Sequence, residues 1–130
     1  MKRRGILNAP LSGHLARLGH TDLVVVADAG LPVPPHVPVV DLAVVLGLPA
    51  FTDVLDALLD EVVVEHAWIS ADAEAGPPAG WVDARLAEPA ERVPHDRLKA
   101  MVGDARVVVR TGEATAYANV VLRCGVAFPV

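Results

Sequence analysis

The sequence predicts an α/β fold: one three-layer domain over residues 1–130, built on a mostly parallel sheet. Three observations predict it. Continuous β-branched runs such as Leu23-Val24-Val25-Val26-Ala27 suit strands buried on both faces. Helix-type patterns lie between those runs, and strand–helix alternation is the signature of this class. A chain of 130 residues, 53% hydrophobic and 21% charged, has the length and apolar content of a single core-forming domain.

The elements follow in order. Ser12 is placed to cap a short helix whose Leu11, Leu15 and Leu18 share one face, with Gly19 positioned to stop it. The 23–27 strand ends in Asp28-Ala29-Gly30-Leu31-Pro32, a turn-forming stretch. A short strand is expected over Val37 to Val40. Thr52 is expected to cap a helix carrying Val54, Leu55, Leu58 and Leu59, and a strand is expected over Glu61 to Ile69. Gly76-Pro77-Pro78-Ala79-Gly80 reads as a loop, followed by a helical turn over Trp81 to Leu86. Pro94 suits the first position of a helix running to Val102. Ala105 to Arg110 is a strand, Thr111 to Ala118 a loop, and Asn119 to Cys124 the last strand. In such sheets ligands bind at the carboxyl ends of strands, which draws attention to Asp28 and to the loop after Arg110.

Charge and composition exclude several function classes. The net charge is −5, and no basic cluster is present to attract nucleic acid or an anionic membrane. The basic start Met1-Lys2-Arg3-Arg4 does not continue into a signal peptide, because Asn8, Pro10, Ser12 and His14 interrupt the apolar stretch. The region from Leu31 to Phe51 is rich in proline and carries His36 and Asp41, so no membrane span is expected. The single Cys124 lies in an apolar run and reads as a small core residue, which suits a reducing cytoplasm.

Familiar catalytic signatures are absent. The chain has no glycine-rich dinucleotide fingerprint, P-loop, nucleophile elbow or paired-cysteine motif. Its five histidines, at 14, 20, 36, 66 and 95, fall in no metal-ligand spacing, so neither metal nor cofactor is expected. Polar residues at the edges of apolar elements remain: His20, Asp22, Asp28, His95, Glu113, Tyr117 and Asn119. His20 reads either as a helix-terminal histidine or as a proton carrier, and imidazole titrates near neutrality. His95 falls in the first turn of the 94–102 helix, where its ring can donate and accept, unless it is simply a surface histidine. Asp28 sits at a strand's carboxyl end, where aspartate is also an ordinary turn former. Tyr117 and Asn119, two apart, share one side if the backbone is extended; a phenol and an amide there suit a sugar's hydroxyls and C–H face. The alternative is a core tyrosine and a turn asparagine. Glu113 reads equally as a solvated turn residue.

Together these segments resemble the D-ribose pyranase family, and more distantly fucose mutarotase. The resemblance lies in Gly19-His20-Thr21-Asp22, in Asp28-Ala29-Gly30-Leu31-Pro32-Val33-Pro34, and in Thr111-Gly112-Glu113-Ala114-Thr115-Ala116-Tyr117-Ala118-Asn119. The opening Gly5-Ile6-Leu7-Asn8 and the closing Cys124-Gly125-Val126 also fit. It covers the chain except roughly residues 70–93, and Gly30-Leu31-Pro32 after Asp28 favours the ribose enzymes over the fucose ones.

The resemblance implies a Rossmann-like domain, a decameric ring, and interconversion of the pyranose and furanose forms of D-ribose. It implies that His20 is catalytic and that Asp28, His95, Tyr117, Ala118 and Asn119 bind the sugar. Ring opening takes a proton from the anomeric hydroxyl and gives one to the ring oxygen. No hydride moves and no carbon–carbon bond breaks, so acid–base groups suffice. The alternatives are a mutarotase for fucose or another aldose, and a non-catalytic sugar-binding accessory of an uptake system.

One geometric expectation follows. If residues 23–27 are extended, His20 and Asp28 lie at opposite ends of that strand. At about 3.3 Å per residue they are up to roughly 26 Å apart, and still over ~15 Å with a turn at 19–22. A pentose reaches both only if the two residues come from different subunits.

Overall fold

A computed structural model describes all of residues 1–130. β1 (Leu23–Ala27) is buried from Val24 onward, as a strand covered on both faces must be. It lies inside a six-stranded sheet with β2 (Val39–Asp41), β3 (Val64–Ser70), β4 (Glu91–Val93), β5 (Val107–Arg110) and β6 (Val120–Cys124). The order is β2-β5-β1-β6-β3-β4. Five strands run the same way, and β6, between β1 and β3, alone is reversed. That reversal matters for the site. The residue before β6 arrives at the edge where β1 and β5 end, since Val120 pairs with Val26 and Arg110 with Ala27.

Successive strand residues point to opposite faces and so feed two separate cores. Val24, Val26, Val107, Val109, Val120 and Leu122 pack beneath α1 (Ala9–Ala16), α2 (Phe51–Leu59) and α3 (Pro78–Asp83). Val25, Ala27, Val108 and Val121 pack beneath α4 (His95–Val102), through Leu98 and Val102. The result is the expected three-layer α/β domain with a mixed, mostly parallel sheet. No helix is long and apolar enough to cross a membrane.

Several boundaries differ from the sequence reading, each for a tertiary reason. Asn8, not Ser12, caps α1: its Oδ1 accepts from the Leu11 N–H at 2.9 Å, while the Ser12 hydroxyl donates to the Ile6 carbonyl. The helix ends at Ala16, before Gly19. α2 starts at Phe51 rather than after Thr52, and its first N–H donates to Glu113 Oε1 at 3.0 Å, a cap delivered from 62 residues away. β2 is Val39–Asp41, not 37–40, and β3 begins at Val64, not Glu61. The helical turn expected over residues 81–86 is α3, beginning at Pro78, and Pro94 is the residue before α4 rather than its first. β4 was not expected; it pairs only with β3, at the sheet's edge.

Candidate functional site

The carboxyl edge of β1 carries a closely cross-linked loop. Asp28 and Asn119 hold each other reciprocally: the Asp28 N–H donates to Asn119 Oδ1 at 2.9 Å, and Asn119 Nδ2 donates to Asp28 Oδ2 at 3.1 Å. The pattern fixes the orientation of the amide, since the N–H needs an oxygen and the carboxylate needs a donor. Asp28 Oδ1 accepts from the Gly30 N–H at 2.9 Å, closing the turn. Arg110 Nε and Nη2 donate to the Ala29 carbonyl at 3.1 and 3.0 Å, and its Nη1 pairs with Asp41. The Ala29 N–H donates to the Glu113 carbonyl. Asp28 and Ala29 are therefore tied to Asn119, just before β6, to Arg110 at the end of β5, and to Glu113 in the loop that follows it.

Asn119 is 2% exposed, so its side chain acts first as a clamp on Asp28, with one Nδ2 hydrogen left over. Tyr117 is not in extended backbone as expected: its φ is 65°, in the left-handed region that non-glycine residues rarely occupy. The Asn119 N–H donates to the Tyr117 carbonyl across this tight turn. Tyr117 and Asn119 therefore reach the cleft through a kink rather than as alternate strand residues. Ala118 between them is fully buried. The Tyr117 ring meets His95 edge to face, with centroids 5.1 Å apart. His95, the first residue of α4, has a buried Nδ1 with no hydrogen-bond partner. Asp28, Leu31, Pro32, His95, Tyr117 and Asn119 line one cleft of about 300 Å³, at the small end of ligand-binding cavities. Four of the six expected site residues thus line this cleft, and a fifth, Ala118, is buried between Tyr117 and Asn119 as packing.

Glu113 is not the solvated turn residue that was one reading of it. Burial alone would raise its carboxyl, but N–H donors from Phe51, Thr115 and Ala114 outweigh that and hold it below the usual range. It joins the start of α2 to the loop after β5. Cys124 is a buried core residue as expected, and burial pushes its thiol above the ordinary value.

His20 lies at the opposite end of β1. Its turn is pinned to the sheet: the Gly19 N–H donates to Asp22 Oδ2 at 2.8 Å, and the Thr21 N–H donates to the Cys124 carbonyl at 2.9 Å. The Gly19 N–H, followed by Arg106, draws the Asp22 carboxyl below its ordinary range despite partial desolvation. The His20 ring is 51% exposed and faces Glu65, with Nε2 and Oε2 2.9 Å apart. It lines a separate hollow of about 430 Å³ with Leu18, Val63, Cys124 and Phe128. The chain does not bring His20 to Asp28. Sequence reasoning missed Glu65 and Arg110. A charge closing the apolar run Val107-Val108-Val109 was a signal for Arg110, because a charged group at the end of a buried strand needs a partner; Glu65 had no local signal.

The sequence matches the RbsD / FucU transport protein family over residues 1–127. The chain belongs to that family. Among its members, D-ribose pyranase of Cutibacterium acnes is 54% identical over 98% of this chain and all of its own length. D-ribose pyranase 1 of Rubrobacter xylanophilus is 55% identical with the same coverage. The solved structure of Bacillus subtilis RbsD complexed with D-ribose superposes with a TM-score of 0.92 at 44% identity, covering 98% of this chain and 100% of that one. The family expectation raised by the motifs around His20, Asp28 and Tyr117 is therefore met, and the match over residues 1–127 also takes in 70–93, which those motifs left uncovered.

Proposed function

We propose that this chain is a D-ribose pyranase, an isomerase that exchanges the pyranose and furanose forms of D-ribose by acid–base ring opening and reclosure at His20. The observation that carries this reading is identity of 54% and 55%, end to end, with proteins named for that activity. Those names favour ribose over fucose. The ribose held by the 44%-identical Bacillus subtilis relative points to the same ligand.

The cleft suits the binding half of the task. Asp28, oriented by Asn119 and Gly30, accepts from sugar hydroxyls. The remaining Nδ2 hydrogen of Asn119 and the unpartnered ring nitrogen of His95 are buried polar groups that a hydroxyl can satisfy, and leaving them unmade is costly. Tyr117 supplies a ring for the C–H face. His20 supplies the chemistry. It takes the anomeric O–H proton as C1=O forms and the ring C–O bond breaks, then returns the proton to the released ring oxygen. Reclosure through another hydroxyl reverses these transfers with a new ring size. Positioned acid–base groups typically supply about 10²–10⁴-fold.

One sugar must meet both ends of β1, so the working site takes His20 from one subunit and Asp28, His95, Tyr117, Ala118 and Asn119 from its neighbour. The four steps from Leu23 to Ala27 alone span about 13 Å at ~3.3 Å per residue. Exposed apolar groups lie near both ends of β1: Leu46 lines a hollow adjoining the sugar cleft and shared with Asp28, and Phe128 lines the hollow of His20, which suits burial between copies. A closed decameric ring in the cytoplasm accommodates this pairing.

Saturation-transfer NMR of D-ribose with chelator-treated protein tests the reading. Faster exchange between ring forms than in buffer is the expected result. Folded protein that accelerates no aldose would leave only sugar binding.

A further inference from the structure

A β-bulge on β3 sets up the surroundings of His20. Val64 pairs with Cys124 and His66 pairs with Arg123, which leaves Glu65 as an extra residue with nothing opposite. Bulges break strand alternation and re-aim one side chain, and they are frequent beside active sites. Here the carboxylate is re-aimed at two partners. Oε2 lies 2.9 Å from His20 Nε2, and Oε1 accepts from Arg123 Nε at 2.7 Å. The Arg123 guanidinium in turn lies 5.4 Å over the Trp68 ring, a stacked geometry that limits its freedom. The close approach of the bulge to β6 depends on Gly125: a Cβ there would stand 3.1 Å from Val63 Cγ1 and 3.4 Å from Glu65 Cβ.

We propose that Glu65 is a positioning residue, and that it sets the tautomer and the orientation of the His20 ring. This rests on the reading of His20 as the proton carrier. A carboxylate only accepts hydrogen bonds, so the ring nitrogen facing it carries the hydrogen. Nε2–H donates to Glu65, and Nδ1 is left with the lone pair that takes the anomeric proton. When Nδ1 is protonated, the ring becomes a cation beside an anion already held by Arg123. Glu65 remains a carboxylate throughout and exchanges no proton. The Glu65 carboxyl is drawn below its ordinary range, first by His20 and also by Arg123, which keeps it in the accepting form. The same logic orients the histidine of a serine-protease triad, where loss of the buried carboxylate costs about 10⁴-fold. This pair is half-exposed, and water screens it, so the expected loss is smaller.

Three proteins and two readouts test the proposal: wild type, Glu65→Ala and Glu65→Gln, examined by ribose exchange kinetics and by ring ¹⁵N shifts of His20, assigned by loss of the signal in His20→Ala. Wild type should show the hydrogen on Nε2. Glu65→Ala should lower kcat by about 10–100-fold with KM within about threefold, and its ¹⁵N shifts should move towards a mixture of tautomers. Glu65→Gln, whose amide oxygen accepts the same bond, should keep the tautomer and recover most of kcat. A His20 hydrogen found on Nδ1 in wild type overturns the proposal. So does a Glu65→Ala protein with wild-type kcat. The ¹⁵N measurement needs no activity, so an inactive wild type would defeat the pyranase reading while the tautomer still decides the role of Glu65.

Discussion

The two ends of β1 are built in opposite ways. At the carboxyl end, Asp28 is held by Asn119 and Gly30, its neighbour Ala29 by Arg110, and the adjoining Thr111 and Asn119 are buried. At the amino end, His20 stands half in water and is held by one carboxylate that is itself a surface residue. Both ends carry a non-glycine residue in the left-handed region, Tyr117 with φ 65° and Thr21 with φ 70°. Such strain costs about 1–3 kcal/mol and persists only where surrounding contacts over-determine the backbone. Under the proposed function, the difference follows from the task of each end. Hydroxyl recognition gains from groups locked before the ligand arrives, because their ordering is then a cost of folding and not of binding. On that reading, proton transfer needs an imidazole that a substrate can reach, and His20 stands half exposed.

The largest effects should come from cutting one end at a time. His20→Ala should lower ribose exchange by about 10²–10⁴-fold while calorimetry still detects sugar binding. Asp28→Ala should lose the binding itself. Mixed after dissociation and reassembly, the two inactive proteins should regain part of the exchange, since some interfaces then carry both native residues. Mixed assemblies that form but stay inactive would mean that the two ends of β1 never serve one sugar.

Asn119→Ala sharpens the comparison at an intermediate scale. It strips the Asp28 N–H and carboxylate of their buried partner, so urea unfolding should show a loss of about 1–3 kcal/mol. Ribose affinity should fall by about tenfold or more, with kcat at saturation near wild type. Glu65→Ala should do the reverse, lowering kcat with little change in affinity or stability. If Asn119→Ala and Glu65→Ala gave the same pattern, the division between a prebuilt binding end and an open chemical end would fail.

The smallest effects concern the two strained residues. Thr21→Gly relieves a β-branched residue at positive φ, at the cost of a more flexible unfolded chain, so stability should stay level or rise by up to about 1 kcal/mol. Tyr117→Gly relieves similar strain but removes the aromatic contact with His95, worth about 0.5–1.5 kcal/mol beyond its buried area. Its midpoint in urea should therefore fall. Equal shifts in the two variants would show that the Tyr117 ring adds nothing to the binding end.

The sequence by itself determined the strands that are buried on both faces, because a run such as Val24-Val25-Val26 has one stable environment wherever it sits. It also determined the place of Asp28 just after such a strand, and the separation of His20 from Asp28 by its length. The motifs at 19–22, 28–34 and 111–119 were legible for the same reason: each is a local stretch whose turn chemistry survives without its partners. β4 was not legible. Two of its three residues, Glu91 and Arg92, are charged, and only the neighbouring β3 makes them a strand. The cap of α2 comes from Glu113, and the acceptor of His20 from a bulged Glu65, 45 residues away. The clamp on Asp28 crosses 91 residues and exists because β6 runs backwards through the sheet. Apolar burial depends on a residue and its near neighbours, so it is written along the chain. Hydrogen-bond partners depend on which strand lies beside which, and that is decided only when the sheet has formed.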